Sequence, residues 1–81
     1  MEEYVENYIK EIAKELNIKF EDLMNLICNE YEKEYGVNVK RLASLHKLSV
    51  INYCFYKDTT NNNYLFRLAL LADKIKRIYF K

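Results

Sequence analysis

Across 81 residues the chain has no proline and one glycine, Gly36, so the two residue types that most strongly interrupt a helix are all but missing. Its apolar residues recur at the one-and-four spacing of a helical face, without the alternation of strands. Tyr4, Val5, Tyr8, Ile9, Ile12, Ala13 and Leu16 mark a first helix. Asn17 interrupts it, Ile18 plugs the corner, and a second helix carries Phe20, Leu23, Met24, Ile27, Cys28, Tyr31 and Tyr35 inward. Gly36 falls where a left-handed cap would end that helix.

Asn38 can cap a short third helix and Ser49 a fourth, because their side-chain oxygens accept from the free N–H groups of a first turn. The polar run DTTNNN, residues 58–63, has no apolar anchor and reads as a mobile surface loop. Beyond it Leu65, Leu68, Ala69, Ala72, Ile75 and Tyr79 share one side of a last helix, with Phe66, Leu70 and Leu71 widening the face. A stripe that broad suits the centre of a bundle. The spacing predicts an all-α, compact bundle of five helices, roughly 3–16, 20–35, 39–47, 50–57 and 64–80, in a single domain of residues 1–81.

With 51% hydrophobic residues, eight Tyr and four Phe, the chain can build a packed core. The start MEEYVENYIKE is acidic and amphipathic, unlike a signal peptide. The longest apolar run, Leu68 to Ala72, is far short of the ~20 residues that span a bilayer. These features predict a soluble cytoplasmic protein with no membrane partner, in a host cell if phage-encoded, with Cys28 and Cys54 as buried free thiols. Richness in Lys, Asn, Ile and Tyr suggests an AT-rich genome.

Charge is divided along the chain. Residues 1–36 hold four Lys against ten acidic residues, a net of −6, and residues 37–81 hold nine Lys or Arg against two Asp, a net of +7. Blocks of opposite sign point to oppositely charged partners, to contact between the halves, or to self-association.

The stretch IKEIAKELNIKFEDLMNLI, residues 9–27, has the frame of a helix-turn-helix: Ala13 is the small residue, Asn17 the turn, and Leu23 and Leu26 the later apolar positions, supported by Ile12, Leu16 and Ile18. A DNA reader needs donors and positive charge at the start of the second helix. Here Phe20, Glu21 and Asp22 stand there, and carboxylates repel the phosphates that supply most non-specific affinity. The basic half is the better candidate. Lys40, Arg41 and Lys47 surround the third helix, while Lys74, Lys76, Arg77 and Lys81 end the last. Both groups have aromatic neighbours, in INYCFYK and RIYFK, the pairing that stacks bases and grips phosphates.

No catalytic constellation stands out. His46, Cys28 and Cys54 lack metal-ligand spacing, and His46 reads as a helix-end residue. With no phosphate-cradling glycine loop and no nucleophile elbow, the chain reads as a non-enzymatic protein without a cofactor.

The segments LICNEYEKEYGVNVKRLASLHKLSVINY, residues 26–53, and YLFRLALLADKI, residues 64–75, resemble the helical accessory segments of phage antirepressor-type regulators. Those segments carry an apolar helix ending in YG or FG, a short basic stretch, an Ile-Asn-Tyr-like helix and a Leu-rich end. The resemblance covers about half of the chain and implies a regulator of phage or mobile-element type. It carries over no catalytic residue.

Two uses are expected from these observations. One is a regulator that binds nucleic acid or a nucleoprotein partner through Lys40, Arg41, Lys47, Lys74, Lys76 and Arg77. The other is an anti-CRISPR-like inhibitor of a host defence or nucleic-acid enzyme, in which Glu2, Glu3, Glu11, Glu21, Asp22, Glu30 and Glu34 fill a basic groove. A homodimer through exposed aromatic surface is a third possibility.

Overall fold

The computed structural model describes residues 2–58 and 63–79. Five helices follow in order: α1 Glu2–Leu16, α2 Phe20–Tyr35, α3 Val39–Leu45, α4 Val50–Lys57 and α5 Tyr64–Tyr79. They form an all-α bundle of 35 × 25 × 21 Å, as the spacing predicts. None is long and apolar enough to cross a membrane.

Local chemistry sets the ends. The Asn38 side chain accepts from the Arg41 N–H at 3.0 Å to start α3, and Ser49 Oγ accepts from the Asn52 N–H at 3.1 Å to start α4. Gly36 closes α2 at φ 68°, its N–H on the Glu32 carbonyl. α2 has no side-chain cap, but Glu21 and Asp22 sit in its first turn, where the helix dipole favours negative charge. α3 stops two residues short of its expected end because Lys47 turns left-handed at φ 57°.

α5 lies against α1, α2 and α4, and α3 packs on α2 and α4. Ile9, Leu23, Ile27, Tyr31, Val39, Cys54, Leu68 and Leu71 are fully buried where these elements meet. Burying each large aliphatic side chain is worth roughly 1.5–3 kcal/mol. Both cysteines are free thiols inside this core. Burial pushes the Cys54 thiol up to about 12 and raises that of Cys28.

The inward faces are narrower than the sequence pattern suggests. Tyr4 is 71% exposed and Phe66 61%, with Leu70 and Tyr79 also outside. A helix packed on one side buries only part of a wide stripe, so the flanking large residues remain at the surface. Residues 59–62 of the expected loop, residue 80 at the expected end of the last helix, and Lys81 lie outside the described residues.

Candidate nucleic-acid interface

The corner that joins α1 to α2 has a counterpart between α3 and α4. In the first corner Asn17 is left-handed at φ 59°, its N–H on the Lys14 carbonyl, and the Ile18 N–H reaches back to the Ala13 carbonyl at 3.0 Å. In the second Lys47 is left-handed, its N–H on the Ser44 carbonyl, and the Leu48 N–H reaches back to the Ala43 carbonyl at 2.9 Å. Both are the paired cap that closes a helix on a left-handed residue. Both alanines are buried, and in each case the next helix begins three residues after the left-handed one, at Phe20 and at Val50.

Electrostatically the two corners differ, the first mixing the exposed Lys14 and Lys19 with carboxylates. Glu15, Glu21 and Asp22 stand exposed at the first. Residues 37–57, which build the second, contain Lys40, Arg41, Lys47 and Lys57 and no carboxylate. Lys40, Arg41 and Lys47 are all exposed, and at 1.5 Å of rise per residue they lie along roughly 10 Å of α3 and its corner. Lys40 Nζ donates to Asn25 Oδ1 at 2.9 Å, which steadies its ammonium beside α2. A hollow of about 370 Å³ lies between the corners, with Phe20, Met24, Val50 and Ile51 in its wall and Glu21 and Lys40 also lining it.

The other expected cations are differently placed. Lys74 Nζ bridges Glu34 at 2.6 Å and Glu30 at 3.0 Å, and Lys76 Nζ meets Glu15 at 2.6 Å. The basic end of α5 is thus matched to acidic residues of α1 and α2, which is the contact between halves that the divided charge allowed. The hydrogen bond from Lys74 holds the Glu30 carboxyl below its usual range, and Glu34 with Glu30 raises the Lys74 ammonium. Arg77 is exposed in the last turn of α5.

Among the acidic residues expected to meet a basic groove, Glu3, Glu11, Glu21 and Asp22 are exposed. Glu30 and Glu34 are bound to Lys74, and Lys33 also reaches Glu30 at 3.4 Å. Glu2 begins α1.

Three features escaped the sequence pattern. The second corner is one, although its signal is legible: Ile9, Ala13 and Ile18 recur thirty residues later as Val39, Ala43 and Leu48. Asp58 is another, since its carboxylate accepts from the Tyr64 N–H and, at 3.1 Å, from the Leu65 N–H, so it caps α5 from six residues upstream. Arg67 is the third. Its guanidinium lies 4.4 Å from the Tyr35 ring centroid and 5.4 Å from that of Tyr64, and it donates to Tyr31 Oη at 3.4 Å. Burial pushes the Tyr31 phenol up to about 12 despite that donor. Arg67 is therefore held in an aromatic clasp between α2 and α5.

On α1 and α5, Tyr8 donates to Asp73 at 2.5 Å, which raises the phenol, and Tyr4, Phe66 and Leu70 stand around a hollow of about 250 Å³. Among the described residues no group of three His, Cys, Asp or Glu side chains could hold a metal ion. No family model, curated protein or solved structure matches the chain.

Proposed function

We propose that this protein is a small, non-enzymatic regulator of phage or mobile-element type that binds nucleic acid through the α3–α4 corner. The observation that carries the reading is the exposed group Lys40, Arg41 and Lys47 in a stretch, residues 37–57, that contains no carboxylate, presented at a capped helix-helix corner. Lys40, Arg41 and Lys47 neutralise phosphates, and α4 faces the bases. α1 and α2 serve as the acidic counterpart that fixes α5 through Lys74 and Lys76. This division also weakens the competing use as an acidic inhibitor, because Glu30 and Glu34 already have a cation.

Neutralising Z phosphates makes affinity fall with salt, with a logarithmic slope of about −0.7Z to −0.9Z. Fluorescence anisotropy on mixed single- and double-stranded oligonucleotides should therefore show binding that weakens with salt, with a slope of roughly −2 to −3 for Lys40, Arg41 and Lys47. No binding at low salt contradicts the reading.

A further inference from the structure

The exposed residues of α4 are of an unusual kind for a helix that reads duplex DNA. Asn52, Phe55 and Tyr56 fall at the i, i+3 and i+4 positions of one stripe, and all three are exposed. Phe55 is 45% exposed and Tyr56 54%. A major-groove reader needs hydrogen-bonding groups along this stripe, because base-pair edges are distinguished by donors and acceptors. Asn52 offers an amide and Tyr56 a hydroxyl at its tip, while the rings of Phe55 and Tyr56 make up most of the stripe.

The Tyr56 ring belongs to a larger aromatic group. The His46 ring lies 5.3 Å from that of Tyr53 and 5.9 Å from that of Tyr56, and Tyr53 and Tyr56 are 6.5 Å apart. Tyr53 is buried and anchors the group. An aromatic ridge thus runs from the end of α3 onto α4, with its outer rings in solvent and Lys47 next to His46 in the chain. Base faces are available to such rings only when the bases are unpaired, whereas every base, whatever its identity, has a face that can stack.

We propose that the α3–α4 corner takes single-stranded nucleic acid, with unpaired bases stacked on Phe55 and the His46–Tyr56 ridge while Lys40, Arg41 and Lys47 follow the backbone. This rests on the nucleic-acid reading given above. Cations beside aromatic platforms bind single strands with little sequence preference, so the stacking sets the choice of strand state and Asn52 adds at most a local base preference.

The test compares one short sequence as single-stranded DNA, as single-stranded RNA and as a blunt DNA duplex, at fixed salt. Single strands should bind at least about tenfold more tightly than the duplex, and Phe55→Ala should remove about tenfold of that affinity, the effect of one lost stacked base. The salt slope should stay unchanged in that variant, because no cation is lost. The chain has no tryptophan, so Phe55→Trp introduces a single indole whose fluorescence should be quenched by the stacked base. Thermal melting followed by circular dichroism establishes that both variants fold. Comparison of the DNA and RNA strands shows which sugar is preferred. Duplex binding as tight as single-strand binding, an unaffected Phe55→Ala variant or an unquenched indole overturns the stacking proposal while leaving nucleic-acid binding in place. Binding to none of the three probes overturns both.

Discussion

The α1–α2 and α3–α4 corners share a backbone and differ in charge. Each has a buried alanine, a left-handed residue four positions on, and a six-to-one N–H bond that closes the turn. Yet one presents Glu21 and Asp22 and the other Lys40, Arg41 and Lys47. The frame is a solution to packing two helices at a tight corner, and it has no chemical preference of its own. What it can meet is decided by the side chains at its solvent face, so a helix-turn-helix spacing found in a sequence is evidence about packing before it is evidence about DNA.

The largest expected effect comes from inverting these charges. Lys40→Glu with Arg41→Glu should weaken nucleic-acid binding by roughly a hundredfold at low salt, because two phosphate contacts become repulsions. The opposite change at the other corner, Glu21→Lys with Asp22→Lys, should not weaken it, and anisotropy titrations compare the two directly. Next in size is overpacking: Ala13→Leu and Ala43→Leu should each destabilise the fold by about 1–3 kcal/mol in urea unfolding. A large loss at one corner alone would break the equivalence between them.

A finer contrast lies in the left-handed residues. Asparagine tolerates that region better than lysine, so Lys47→Gly should raise stability by about 0.5–1 kcal/mol and Asn17→Gly by less. Lys47→Gly should at the same time loosen nucleic-acid binding. Stability and affinity then move in opposite directions, which separates the packing role of the corner from its charge. The smallest effect concerns α5. Since the Glu30 carboxyl is held below its ordinary value of 4.5 by Lys74, the stability it adds is present above pH 4.5 and lost as pH falls through the lower folded value. Melting temperatures below pH 4.5 should therefore drop less, relative to neutral pH, in a Lys74→Met variant than in the parent.

Much of this architecture was legible because it depends on local rules. The apolar spacing marks α1, α2 and α5, the capping residues Asn38 and Ser49 mark α3 and α4, and Gly36 ends α2 as its chemistry requires. Features that depend on distant neighbours were not legible. Nothing in its surroundings shows that Asp58 caps α5 across the intervening segment, or that Arg67 sits among Tyr31, Tyr35 and Tyr64. For the candidate site, Lys40, Arg41 and Lys47 are grouped by sequence alone. Lys74 and Lys76 look equivalent to them until folding places Glu30, Glu34 and Glu15 opposite. A net charge counted along the chain cannot tell a cation facing solvent from one matched within the fold.

The most direct test is to map where nucleic acid touches the protein. Titrating an isotopically labelled sample with a short single strand and following backbone amide shifts by NMR should perturb residues 40–57, centred on Lys47 and Phe55, and leave residues 13–26 of the matching acidic corner unmoved. Perturbations confined to 13–26, or to the α5 end around Lys74 and Arg77, would contradict the account.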